Sequence, residues 1–258
     1  PVFAWWSFSS SRFHLSTTRQ QGEAMLIAGM LSTFPAIIIN SFITPGAVLF
    51  LSGGQASATL VENITIIVSA PVGEELCKAL AVFSLAGLID SKKRGFQVGF
   101  TVGLGFALLE NLQYILMSLF AGEVMAFSYG LTSIIRGIGS IPGHAMWTAC
   151  SGYAIGHILE QRRQPNQIPD VKQWNLVNPL NPTYSHTDIG FHTQQSFFSK
   201  SSSLQLPTSL PVMLGIAMFG HAFWNGSSVL VSYISSNLDP LAGLLVELTW
   251  IVVLISLL

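Results

Sequence analysis

The sequence predicts an all-α fold: a polytopic bundle of about six membrane-crossing helices with polar residues at mid-membrane depth. Three observations predict it. Only 9% of the 258 residues are charged, against about a quarter in soluble globular chains. Half of the residues are hydrophobic and the mean hydropathy is +0.55. Six segments also reach the roughly 20 mostly apolar residues that cross about 30 Å of hydrocarbon at about 1.5 Å per residue. The charge balance excludes other classes. Eleven Lys and Arg offset twelve Asp and Glu, with no like-charge block beyond Lys92-Lys93-Arg94, so no nucleic-acid partner is expected and the lipid bilayer is.

The crossings follow in order. Residues 1–23 hold Trp5, Trp6, Arg12 and Arg19 but no basic stretch leading into an apolar core and a small-residue cleavage site. They predict a cytoplasmic or interfacial lead-in. The chain begins at Pro1 rather than Met and stops within an apolar run, as expected of a piece of a longer protein. Residues 24–258 are predicted to form one membrane domain, with crossings at 24–51, 61–89, 96–120, 134–159, 210–233 and 241–258. The fourth carries Gly137, Gly139, Pro142 and Gly143, which can break a helix and leave a re-entrant piece; it is read as one crossing. Gly99 with Gly103, and Gly152 with Gly156, have the spacing that lets helices approach closely. The run from Gly99 to Gly105 is no nucleotide loop, because no βαβ unit surrounds it. Cys77 and Cys150 both fall in apolar stretches and are read as packing residues.

Cations near helix ends set the orientation. One side collects Arg12, Arg19, Lys92, Lys93, Arg94, Arg162, Arg163, Lys172 and Lys200, and the other only Arg136. Both termini are therefore expected to be cytoplasmic. Residues 161–207, rich in Pro, Asn, Gln and Ser, are expected to be a polar cytoplasmic loop insertion, with His186 and His192 as solvated side chains.

Charges deep in a membrane helix are costly, so each needs a partner or a task. They are concentrated here. The second crossing carries Glu74, Glu75 and Lys78, spaced so that the ammonium can reach either carboxylate. The third carries Glu110-Asn111, the fourth His144, and the fifth His221 and Asn225, which share one helix face. Glu75, Glu110 and His221 each lie roughly 15 to 22 Å along their own crossings, at one depth. His144 joins them if its helix begins near Ile134. Glu110 has no basic neighbour on its own helix and needs one from elsewhere, with His144 and His221 as candidates. Glu62, Glu123, Asp90, Asp239 and Glu247 fall near helix ends or alone and are read as surface groups, Glu123 as a possible mate for Arg136. An ion pair that only fixes packing is the competing reading for Glu74 and Lys78, and interhelical hydrogen bonding for Asn225.

Paired carboxylates in a low-dielectric site hold water and can take its proton, while imidazole and carboxamide N–H groups can stabilise the oxyanion formed at an attacked carbonyl. Glu and His from separate helices are also competent zinc ligands. No His-Glu-x-x-His sequence is present. The runs Glu74-Glu75-x-x-Lys78, Gly105-Phe106-Ala-Leu-Leu-Glu110-Asn111, Gly143-His144-x-x-Trp147 and His221-x-x-Trp224-Asn225-Gly226 resemble, in order, the motifs of the PrsW family of intramembrane proteases. The resemblance implies a multi-pass hydrolase of a bacterial cell membrane that cuts membrane-anchored protein substrates, and kinship with the prenyl endopeptidases of the CAAX-protease and bacteriocin-processing superfamily. It implies Glu75 as the base that activates water, Glu74 beside it, Lys78 as charge balance, and His221 with Asn225 as the oxyanion pair. Glu110 stands where the prenyl endopeptidases commonly have His, and His144 is a further family histidine. A Lys three positions after the acids, rather than an Arg four positions on, points away from prenylated substrates. Both glutamic-type and metalloprotease chemistry fit, with Glu75, Glu110, His144 and His221 as candidate ligands for zinc. Two other classes use the same residues: a transporter or proton relay, whose inverted repeat is not evident, and a noncatalytic scaffold held together by its polar cluster.

Overall fold

Local sequence chemistry starts the helices. Thr18 and Gln21 form a reciprocal capping box ahead of α2 (Arg19–Ile38). Ser57 caps α4 (Ala58–Ile64), Ser91 caps α6 (Lys92–Ser118) and Asp239 caps α10 (Pro240–Ser256), each side-chain oxygen taking backbone N–H groups that lack helical partners. The computed structural model describes residues 1–13, 15, 17–120, 125–163 and 206–257. The remaining helices are α1 (Val2–Phe13), α3 (Thr44–Leu51), α5 (Ala70–Ser84), α7 (Met125–Ile135), α8 (Ile141–Arg163) and α9 (Leu210–Ser235). The described residues form no strand, so the all-α class holds among them. The helices belong to one compact unit, Pro1–Arg163 with Pro207–Leu258.

Three pairs of helices are continuous rods joined by π-turns: α2 to α3 through Ile39–Ile43, α4 to α5 through Thr65–Ser69, and α7 to α8 through Arg136–Ser140. A proline stands two residues beyond each π-turn, at Pro45, Pro71 and Pro142. Proline has no N–H to give and its ring crowds the carbonyl four residues back. Widening the preceding turn relieves that conflict without ending the helix. The fourth predicted crossing is thus unbroken from 125 to 163 despite Gly137, Gly139, Pro142 and Gly143.

α6 lies at the centre. Its first half is buried from Arg94 to Ala107 except for the half-buried Phe96, packed on α8, α2, α5 and α1. Gly95, Gly99 and Gly103 repeat every fourth residue and face α8, where a Cβ would collide with the backbone carbonyls of Gly152, Thr148 and His144 respectively. Gly152 and Gly156 answer them from α8, against the carbonyls of Gly95 and Ser91. On the other flank, Gly105 of α6 meets the Leu26 carbonyl, and Gly29 of α2 meets that of Val102. Both predicted glycine pairs therefore pack, and α6 is clamped backbone to backbone on two sides. Cys77 is buried, Cys150 half-buried, and both are free thiols.

The lead-in predicted for 1–23 contains α1, which packs on α6; Trp5 Nε1 donates to the Gly137 carbonyl at 3.1 Å. Among the described residues, two rods are long and apolar enough to cross a membrane, Arg19–Leu51 and Lys92–Ser118, and Pro240–Ser256 is apolar but shorter. That is fewer than the six segments picked from sequence. The rod at 58–84 carries Glu62, Glu74, Glu75 and Lys78, and α9 carries His221 and Asn225, so the polar groups dilute the apolar character of the helices that bear them. Of the insertion predicted at 161–207, residues 164–205, with His186 and His192, lie outside the described residues, as does Glu123; residues 161–163 end α8.

Candidate active site

The buried acids and imidazoles converge. α5 presents Glu74, Glu75 and Lys78 on its inner face, all buried, with Glu75 and Lys78 fully so. The Lys78 ammonium donates to Glu75 Oε1 at 2.5 Å and to His144 Nδ1 at 2.9 Å, and lies 4.5 Å from the centre of the Phe106 ring. Lys78 therefore selects Glu75 between its two neighbours. The same Glu75 oxygen lies 3.0 Å from His221 Nδ1. A carboxylate only accepts, so Nδ1 carries the proton and the neutral ring keeps its lone pair on Nε2. That nitrogen faces Glu74 Oε2 at 3.8 Å.

His144 is fixed at both ring nitrogens. Nδ1 accepts from Lys78, which directs Nε2–H to Glu110 Oε2 at 3.0 Å. Glu110 thus finds the partner that its own helix lacks. It finds a second in Arg136, whose Nη1 lies 3.0 Å from the same oxygen and also donates to Asn111 Oδ1 at 3.1 Å and Ser140 Oγ at 3.3 Å. The guanidinium sits 3.5 Å above the Tyr114 ring. Glu123, the candidate mate of Arg136 by sequence, lies outside the described residues, and Arg136 is bound to the third crossing's acid. Replacing it with Leu leaves Glu110 short of a buried charge partner, and the expected cost is on the order of 3 kcal/mol. A lowered unfolding midpoint in detergent, partly restored in Arg136→Lys, checks this.

Aromatic rings wall the imidazoles. Trp147 stacks on His221 with centroids 4.6 Å apart and planes 13° from parallel. Phe106 and Trp147 each lie 5.4 Å from the His144 ring. Among these groups is a cavity of about 270 Å³, lined by Glu74, Glu110, Arg136, His144, His221 and Asn225 among others. Glu75 and Lys78 stand behind it. Asn225 lines the cavity while its Nδ2 donates to the Ile66 carbonyl, within the second π-turn, at 3.0 Å.

Glu74, His144 and His221 each offer one donor atom, all within 4.8 Å of one another and all buried. Glu74 Oε2 has no hydrogen-bond partner among the described residues. Two imidazoles and one carboxylate suit zinc, which takes N and O donors in this combination; His221 offers a free Nε2, whereas His144 would first have to give up its Nε2–H bond to Glu110. The oxygen Oε1 of Glu75, a candidate ligand from sequence, is held by Lys78 and His221, and Oε2 of Glu110 is held by Arg136 and His144.

Three polar groups at the site, Arg136, Asn40 and Ser140, were not assigned to it from sequence. Asn40, in the first π-turn, donates from Nδ2 to Glu74 Oε1 at 3.2 Å. Ser140 Oγ donates to Asn111 Oδ1 at 3.1 Å. The signal for Asn40 was present as one carboxamide in the run Ile37-Ile38-Ile39-Asn40, a costly residue without a partner in lipid.

Apolar helices around a buried Glu and His centre suit a membrane-embedded hydrolase or a proton relay, and a family match separates the two. A family model described as PrsW family intramembrane metalloprotease matches residues 22–180. The chain belongs to that family and is an intramembrane protease. The matched span includes Glu74, Glu110 and His144; α9, with His221 and Asn225, lies beyond it. No curated protein and no solved structure matches the chain.

Proposed function

We propose that this protein is a multi-pass endopeptidase that hydrolyses peptide bonds of membrane-anchored proteins, with its reaction centre on Glu74, His144 and His221. The observation that carries the reading is that Glu74, and not Glu75, lines the cavity: Oε2 of each acid is buried without a hydrogen-bond partner among the described residues, but that of Glu74 is the one facing His221 Nε2 there. Glu74 accepts a proton from water as the water oxygen bonds to the scissile carbonyl carbon, then returns it to the departing amine as the C–N bond breaks. The oxyanion meets the guanidinium of Arg136 and the second N–H of Asn225. The resemblance gave the base to Glu75 and an oxyanion N–H to His221. The hydrogen bonds favour a different division, in which Glu75 fixes the His221 ring through Nδ1 and leaves its Nε2 lone pair for the cavity.

In the alternative route, zinc held by Glu74, His144 and His221 would lower the pKa of a bound water and polarise the carbonyl, with Glu74 serving as a ligand in place of the free base. Glu75 is then the outer partner that orients the His221 ring, whereas His144, with Nδ1 accepting from Lys78 and Nε2–H on Glu110, would have to exchange one of these bonds to reach the ion. The exposed apolar surface, including Phe42, Phe50, Phe83, Phe120 and Phe219, supports a multi-pass arrangement in a membrane; six crossings, a protease domain at 24–258 and an insertion at 161–207 belong to the proposal, while α1, with Trp5 on the Gly137 carbonyl, lies against the crossings.

The test uses the protein in proteoliposomes with a single-pass substrate, metal analysis and a zinc chelator. About one zinc per chain, with cleavage lost on chelation and restored by zinc, is expected. Full cleavage with no bound zinc would leave the carboxylate route alone. Proton flux without any proteolysis would replace the reading with a relay.

A further inference from the structure

We infer that Asn40 is a positioning residue for Glu74, held by a directed hydrogen-bond chain that runs between the first two π-turns. This deepens the proposed function, since it rests on Glu74 as the acid that faces the cavity. Asn40 Nδ2 lies 3.2 Å from Glu74 Oε1, the Asn40 Oδ1 atom is 3.3 Å from Ser69 Oγ, and Ser69 Oγ is hydrogen-bonded to Thr44 Oγ1. The direction of each bond is determined by its neighbour. A carboxylate can only accept, so Asn40 turns its amide nitrogen to Glu74; its carbonyl then faces Ser69, which donates, and Ser69 in turn receives the Thr44 proton. The carboxamide has no second orientation that satisfies both ends.

Prolines make this chain possible. Asn40 lies within the π-turn ahead of Pro45, and Ser69 closes the π-turn ahead of Pro71. Widened turns displace side chains from the regular helical register, and here two of them face each other across α2 and α5. Asn40 and Thr44, four residues apart, stand on one side; Ser69 and Glu74 stand on the other.

Fixing Oε1 orients Oε2. With Asn40 on one oxygen, the plane of the carboxylate is set and the other oxygen is held toward His221 Nε2. Asn40 does not line the cavity with Glu74; it borders a separate recess with Pro45, Leu49 and Glu62. It therefore acts through Glu74 and not on substrate.

The experiment compares Asn40→Leu, Ser69→Ala and the double variant in proteoliposomes with a single-pass substrate, together with zinc affinity and unfolding midpoints in detergent. Asn40→Leu keeps the volume and removes the donor. The expected result is a fall in kcat of about 10- to 100-fold with KM changed by less than about twofold, and weaker zinc binding by a similar factor. Ser69→Ala is expected to lower kcat by roughly threefold to tenfold, and the double variant to be no worse than Asn40→Leu, since both act through one contact. If Asn40→Leu fails to fold, Ser69→Ala decides, and an unchanged kcat there overturns the inference. Asn40→Leu that folds and keeps kcat within about twofold, while Glu74→Gln is inactive, overturns the inference and leaves the proposed function standing. Glu74→Gln that cleaves normally removes both.

Discussion

Glu74→Gln is expected to lower kcat by about 10²- to 10⁴-fold, the range associated with a positioned proton acceptor, while the protein stays folded. The substitution keeps the shape of the side chain and its Oε1 contact with Asn40, but the neutral amide cannot take a proton from water. Its Oε2 position carries no hydrogen bond among the described residues of the wild type, so none of those bonds is lost there. Glu75→Gln is expected to fail differently. Glu75 Oε1 holds both the Lys78 ammonium and His221 Nδ1, and neutralising it leaves a fully buried ammonium without its counter-charge. Breaking such a pair costs about 3–5 kcal/mol, so the unfolding midpoint in detergent falls steeply along with activity. Cleavage of a single-pass substrate and thermal unfolding, measured together, separate the two. A folded Glu74→Gln protein that cuts at the wild-type rate, or a Glu75→Gln protein of unchanged midpoint and no activity, would reverse the roles of the adjacent acids.

The second large effect is steric and lies away from the chemistry. Gly103→Leu should destabilise the protein by about 3 kcal/mol or more, above the common range for overpacking. A Cβ at Gly103 meets the backbone carbonyl of His144, and backbone cannot change rotamer to make room. Moving α6 away is blocked as well, because Gly105 and Gly29 hold its opposite flank against α2. The strain falls on the residue that carries the His144 ring, so a variant that still folds should bind zinc weakly as well as melt early. Gly215→Ala on α9 is the control: nothing lies within 4 Å of its added carbon, and Ala is the better helix former, so its midpoint should stay level or rise. Equal melting of the two variants would show that the glycine seam does not set the helix spacing.

Much of this site was legible without coordinates because membrane helices make polar residues conspicuous. Glu74, Glu75, Lys78, Glu110, His144, His221 and Asn225 stand out as costly groups in apolar runs, although among the described residues only one of their four helices, Lys92–Ser118, is long and apolar enough to cross a membrane. The glycine spacings on α6 and α8 likewise foretold a close approach that the backbone contacts bear out. What spacing could not supply was partner choice. Lys78 is within helical reach of both acids, and Arg136 lies 26 residues from Glu110, so neither pairing follows from local geometry.

Sequence by itself determined that this chain is helical, that its charge is gathered at a few positions, and which family it resembles, because periodicity, composition and short motifs are local properties. Only the tertiary structure decided which acid faces the cavity, since that depends on Lys78 and His221 both taking the same oxygen of Glu75. It also decided that Asn40 and Arg136 belong to the site. Both lie in π-turns that precede a proline, and where a widened turn aims a side chain depends on the helix packed against it.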